Sequence, residues 1–147
     1  MARVSRNLQR TIRCPVASAL DVVGDRWTLL IVRDLLRGKN RFTQLRRSVE
    51  GVTTSLLSDR LKRLEREGII ERRFYSEHPP RAEYVLTPKG HGLGVIVGAL
   101  SVWGQEHAPH DLRLVDSECG HPVRVLYHCD ECDRQAPRSR IRIVEAE

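Results

Sequence analysis

The run Thr53-Thr54-Ser55-Leu56-Leu57-Ser58-Asp59-Arg60-Leu61-Lys62-Arg63-Leu64-Glu65-Arg66-Glu67-Gly68 decides the fold, together with the two segments after it. These are Ile69-Ile70-Glu71-Arg72-Arg73-Phe74-Tyr75 and, past the turn Ser76-Glu77-His78-Pro79-Pro80-Arg81, Ala82-Glu83-Tyr84-Val85-Leu86. Leu56, Leu57, Leu61 and Leu64 recur at helical spacing and give the long run one apolar face. Thr53 or Thr54 supplies the N-cap, and Gly68 the stop. The two later segments are short, rich in aromatic and β-branched residues, and separated by prolines, as in a β-hairpin.

Working upstream, Pro15 opens a short helix over residues 16–23, and Gly24 ends it. Asp25 caps a helix over 26–37 that Trp27, Leu29, Leu30, Ile31, Val32, Leu35 and Leu36 make apolar nearly all round; it is the expected central core helix. A third helix spans 42–49, with Phe42, Leu45 and Val49 on one face. Glu50-Gly51-Val52 then turns tightly into the helix quoted above. Two helices joined by a short Gly-containing turn form a helix-turn-helix, and the hairpin adds a wing. Downstream, Thr87-Pro88 caps and opens a long fifth helix over 88–107. Gly90, Gly94 and Gly98 recur along one side of it. Each glycine costs about 1 kcal/mol of helix stability relative to Ala, so close packing of this side against another helix is expected. The fold class is therefore mainly α with a small β-hairpin wing, a winged helix-turn-helix.

The polar stripe of the fourth helix carries Thr54, Ser55, Ser58, Asp59, Lys62 and Arg66. Short hydroxyl side chains can approach base edges, cations suit phosphates, and a helix of this width fits the major groove. Asp59 can accept from a cytosine amino group, but pairing with Arg63 four residues on is the favoured expectation. At the wing tip, Pro79 and Pro80 stiffen the chain and place Arg81 to enter a minor groove. Arg72 and Arg73 point to opposite faces of their strand, so only one of them can face DNA. Arg41, Arg46 and Arg47 flank the third helix as phosphate contacts. Charge agrees: residues 1–75 carry +9 and residues 76–147 carry −3 of a total of +6. A basic half suits a polyanion-binding surface, although a solvated surface would also be basic. The main rival is a winged-helix protein-interaction module without specific DNA readout. Steeply salt-dependent binding to a palindrome separates the two.

Several ordered motifs are shared with a known family. Cys14-Pro15-Val16, Asp21-Val22-Val23-Gly24-Asp25-Arg26-Trp27-Thr28-Leu29-Leu30-Ile31 and Arg33-Asp34-Leu35-Leu36 come first. Arg41-Phe42-Thr43-Gln44-Leu45-Arg46-Arg47, Leu57-Ser58-Asp59-Arg60-Leu61, Glu67-Gly68-Ile69-Ile70 and Pro79-Pro80-Arg81-Ala82-Glu83-Tyr84-Val85-Leu86-Thr87 continue in order. Over roughly residues 14–104 the chain resembles the HxlR family, a branch of the MarR-like winged-helix transcription regulators. The resemblance implies a homodimeric, non-enzymatic regulator that binds double-stranded DNA at an inverted-repeat operator, here expected to act as a repressor. It places the dimer seam on the first and last helices. It also implies that a cysteine at position 14 can sense electrophiles or oxidants. A helix start with Arg10 and Arg13 nearby favours the reactive thiolate there; an unreactive thiol is the alternative.

The remaining segments divide the chain further. Residues 1–13 read as a basic flexible arm, 14–107 as the DNA-binding and dimerisation domain, 108–135 as a Cys/His appendage, and 136–147 as a charged tail. Short strands are expected over 111–115 and 123–127. Cys119, His121, Cys129 and Cys132 have the donor types of a tetrahedral structural zinc site, so the appendage resembles a small zinc ribbon. A Cys129–Cys132 redox pair, or thiols that bind nothing, are the other readings. No apolar run approaches the ~20 residues that cross a membrane, and no signal peptide is evident, so the expected compartment is the cytoplasm.

Overall fold

The computed structural model describes residues 14–144; the basic arm assigned to residues 1–13 lies outside them. Among the described residues, six helices and two hairpins succeed one another. They are α1 (Pro15–Val23), α2 (Arg26–Leu36), α3 (Phe42–Ser48), α4 (Thr54–Arg66), β1 (Ile70–Glu77), β2 (Pro80–Leu86), α5 (Pro88–Gly92), α6 (Gly94–His107), β3 (Tyr127–Cys129) and β4 (Arg134–Ala136). A 3₁₀ turn comes last, at Arg138–Arg140.

The helix starts obey their caps. Asp25 accepts from the backbone N–H of Trp27 (2.9 Å) and of Thr28 (3.1 Å) at the head of α2. Thr53 accepts from Leu56 N–H (3.2 Å), so Thr53 is the cap and Thr54 the first helical residue of α4. Gln44 reaches back to the N–H of Arg41 at the start of α3. Gly68 takes φ +67°, which lets α4 end with Ile69 N–H on the Leu64 carbonyl and the chain leave directly into β1. Gly51 takes φ +79° in the turn between α3 and α4, a conformation that strains a side chain.

One core lies between α2, α3, α4 and the root of the wing. Ile31, Val32 and Leu35 of α2 meet Leu45, Val49, Val52, Leu57, Leu61 and Leu64, with Ile69, Ile70 and Leu86 closing the bottom. Burial of each such side chain contributes about 1.5–3 kcal/mol. On the expected core helix only Ile31, Val32 and Leu35 are fully buried among the apolar residues; Trp27, Leu29 and Leu30 are half-buried and Leu36 is exposed. The antiparallel wing pairs Ile70 with Leu86 at its root and Glu77 with Pro80 at its tip. Its strands run further than the sequence suggests, and the six-residue turn shrinks to His78-Pro79.

Two expectations need correction. The long fifth helix is two helices broken at Leu93, where Leu93 N–H bonds to the Gly90 carbonyl. Gly90 therefore belongs to a different helix from Gly94 and Gly98. The glycine side also meets unlike neighbours: Gly90 abuts the Ile69 carbonyl, Gly94 faces Leu36 of α2, and Gly98 faces Leu114 of the returning chain. The strands expected over 111–115 and 123–127 are reduced to a single bridge, Val115 to Pro122. The extended pairing sits instead on either side of Cys129 and Cys132, as β3 and β4. These segments are too exposed for apolar alternation to specify a buried face. Further on, Ala136 closes β4 and residues 138–140 form the 3₁₀ turn.

Candidate nucleic-acid interface

α4 buries Leu57, Leu61 and Leu64 and so turns its other side outward. Thr54, Ser55, Asp59, Lys62 and Arg66 are exposed there, and Ser58 is half-buried. Arg46 of α3 donates to the Thr54 hydroxyl (3.4 Å), bringing a cation to the head of α4. Arg41 is exposed, and its guanidinium lies 5.2 Å from the centre of the Tyr75 ring, between α3 and the wing. Arg81 is exposed beside the His78-Pro79 tip, opposite Ser76.

The wing is held to the helical unit at its base. Tyr84 N–H donates to the Asn40 carbonyl (2.8 Å), and Asn40 Nδ2 donates to Glu83 Oε2 (2.9 Å). A cleft of about 310 Å³ separates α4 from the wing, with Ser58, Lys62 and Glu65 on one wall and Arg72, Ala82 and Tyr84 on the other. Burial pushes the Tyr84 hydroxyl above its ordinary pKa, and the Glu65 charge adds to that against the opposing pull of Arg72. Of the two adjacent wing arginines, Arg72 faces this cleft, its guanidinium 4.8 Å from the Phe74 ring. Arg73 pairs with Glu71 at 2.9 Å.

The expected pair of Asp59 with Arg63 does not form among the described residues. Arg63 donates instead to the backbone carbonyl of Asp21. That carbonyl lies in the last turn of α1, where intrahelical donors run out. Arg60, which the sequence did not single out, bonds Asp25 at 3.1 Å. Burial pushes the Asp25 carboxyl up, but hydrogen bonds from Thr28 and Trp27 and the Arg60 charge outweigh it, and its pKa falls below the ordinary value.

Cys14 is exposed and occupies the position before Pro15 at the head of α1; Arg10 and Arg13 lie outside the described residues. The neighbouring apolar side chains Val16 and Leu20 are exposed on α1, as are Val95, Leu100 and Trp103 on α6.

In the appendage Cys119, Cys129 and Cys132 are free and exposed. Cys129 and Cys132 lie on one turn. The Cys129 thiol is pushed below its ordinary pKa by the backbone N–H and the thiol of Cys132, then by Glu131 N–H and the Arg140 charge. A matching turn precedes it. Asp116 accepts from the N–H of Glu118 (2.8 Å) and of Cys119 (3.1 Å), and Gly120 comes next with positive φ, as Asp133 does after Cys132. Asp116 thus fixes the backbone at Cys119; sequence spacing missed it because Asp was not weighed beside the cysteines. Among the described residues no three His, Cys, Asp or Glu side chains gather as one metal-holding group, so Cys119, His121, Cys129 and Cys132 are not brought together.

The model of the HxlR-like helix-turn-helix family matches residues 22–112. The chain belongs to that family. It is similar to the uncharacterized HTH-type transcriptional regulator Rv3095 of Mycobacterium tuberculosis, with 39% identity over 123 residues, 79% of this chain and 77% of that protein. Among solved structures it is similar to PA1607, a candidate transcription factor, at 33% identity and a TM-score of 0.77 over 92% of this chain and 96% of that one. It is also similar to the redox regulator HypR in its oxidized form, at 36% identity and a TM-score of 0.61 over 66% of this chain and all of that one. As an HxlR-like protein, the chain is a transcriptional regulator with a helix-turn-helix domain. No helix among its described residues is long and apolar enough to cross a membrane.

Proposed function

We propose that this HxlR-like regulator is a homodimeric repressor that reads an inverted-repeat operator with α4 and steadies itself with the wing. The observation that carries this is the outward stripe of exposed Thr54, Ser55, Asp59, Lys62 and Arg66 with half-buried Ser58, flanked by Arg41 and Arg81 and turned away from the core. Two copies would set their recognition helices about 34 Å apart, one DNA turn. The exposed apolar residues of α1 and α6 support a seam there, because each subunit otherwise leaves them in water. Asp59, free of Arg63, is left to accept from a cytosine amino group.

Cys14 is the proposed sensing thiol. Its exposure at the head of α1 supports this, as does the likeness to HypR, which is named as a redox regulator. Oxidation of Cys14 would act on the helix that forms part of the seam. The appendage is proposed to take a structural zinc through Cys119, His121, Cys129 and Cys132, which requires the metal to draw its two turns together.

Selection of duplexes from a random pool by the purified protein, with and without an oxidant, tests the proposal. A palindromic consensus whose binding is lost on oxidation in the native protein, and kept in Cys14→Ser, is the expected result. Recovery of no consensus would reject specific readout and favour the protein-interaction reading. An oxidation response unchanged in Cys14→Ser would reject Cys14 as the sensor.

A further inference from the structure

Arg60 and Arg63 lie one turn apart on α4 and share a face. On a DNA-reading helix such cations are natural phosphate contacts, yet both turn inward to the corner between α1 and α2. Arg60 Nε lies 3.1 Å from Asp25 Oδ1. Arg63 Nη2 donates to the Asp21 carbonyl. The two arginines thus hold the end of α1 and the start of α2 at once.

Each acceptor suits its role. Asp25 cannot swing freely, because the same carboxylate takes the N–H of Trp27 and Thr28 and the Thr28 hydroxyl at 2.6 Å. The Asp21 carbonyl sits at the negative end of α1, where a cation is favoured. Both arginine side chains are shielded, with only 26% of the Arg60 side chain accessible and Arg63 half-buried. A guanidinium turned this way is withdrawn from the stripe that faces the groove.

We infer that Arg60 and Arg63 are positioning residues: they clasp α4 to the α1–α2 corner and set the angle at which Thr54, Ser55 and Ser58 enter the major groove, without touching DNA. The inference rests on the DNA-reading proposal above. It also gives α1, which begins after Cys14, a direct mechanical link to the recognition helix.

The test compares the full-length native protein with Arg60→Ala, Arg63→Ala, Arg63→Lys and, as a phosphate-contact control, Lys62→Ala. Each binds a duplex selected by the native protein and, separately, poly(dI-dC), across a salt series. Circular dichroism confirms folding; where an alanine variant fails to fold, Arg60→Gln and Arg63→Gln replace it. Arg60→Ala and Arg63→Ala should lose about tenfold on the selected duplex. They should keep their affinity for poly(dI-dC) and the native slope of log K against log salt. Arg63→Lys, which retains a donor for the Asp21 carbonyl, should recover most of the loss. Lys62→Ala should weaken both duplexes and reduce the slope by about one. The same Lys62-like pattern in Arg60→Ala or Arg63→Ala would make that arginine a phosphate contact and overturn the inference. Unchanged binding to both duplexes would overturn it equally. Failure of the native protein itself to select a duplex would remove the DNA-reading proposal and the clasp with it.

Discussion

Asp34 is fully buried and holds α2 to α3. It accepts from Arg33 Nε (2.9 Å), Arg37 Nη1 (3.4 Å) and the Ser48 hydroxyl (2.5 Å). Burial pushes its carboxyl up, but the bonds from Arg33 and Ser48 and the charges of Arg33 and Lys39 bring its pKa below the ordinary value. A lowered folded pKa stabilises the fold above the unfolded value, and that stability is lost as pH falls through the folded one. Asp34→Ala should therefore cost about 1.5–3 kcal/mol at pH 7, and the deficit should narrow below about pH 4. Denaturant midpoints at both pH values check this, and an equal deficit at each would contradict it. Two glycines make a second comparison. A Cβ on Gly90 would stand 2.1 Å from the Ile69 carbonyl, whereas one on Gly92 meets nothing within 4 Å. Gly90→Ala should cost about 1–3 kcal/mol, while Gly92→Ala should be neutral or stabilising by up to about 1 kcal/mol. Thermal midpoints that fall equally for both would show that the contact with Ile69 does not matter.

At the scale of the element, the helix-turn-helix was legible because apolar period, caps and glycine stop agree along α2, α3 and α4. Asp25, Thr53 and Gly68 each sit where the local signal put them. Partner choice was not legible. Arg63 is four residues from Asp59, a spacing that invites a pair, but the unmet Asp21 carbonyl lies on another helix and wins. The break at Leu93 was missed for a related reason: glycines at 90, 92 and 94 leave the helix weak enough for packing against the wing root to bend it. The α1 and α6 surfaces carry the prediction at this scale. Leu100 is 52% and Trp103 62% exposed. Leu100→Glu with Trp103→Glu should shift the sedimentation of the protein from dimer to monomer at micromolar concentration, while circular dichroism stays unchanged. A double variant that still sediments as a dimer would move the seam elsewhere.

Across the whole molecule, a compact winged helix carries an exposed appendage whose donors stand in two separate turns. Purified protein should hold one zinc per chain, measured by elemental analysis after dialysis. Cys129→Ser and Cys132→Ser should each lose it, with His121→Ala testing the fourth ligand against Asp116→Asn. A native protein with no zinc would leave Cys129 and Cys132 as a dithiol. Zinc lost from Asp116→Asn but kept by His121→Ala would exchange the fourth ligand. Because the winged-helix core ends before the appendage, these variants should leave the thermal midpoint of the core nearly unchanged.

Local chemistry alone determined the helix starts, the turn between α3 and α4, the wing and the outward stripe of α4, since each depends on residues within one or two turns of one another. Family membership was legible in the same ordered motifs. Only the tertiary structure decided that Arg60 and Arg63 face the α1–α2 corner, that Arg72 rather than Arg73 faces the cleft, and that Asp34 joins two helices. It also decided that Gly90 lies against the Ile69 carbonyl and that Asp116 meets Cys119. Hydrogen-bond partners distant in sequence are chosen by which unmet donor or acceptor the packed core brings within reach, and spacing along the chain carries no record of that choice.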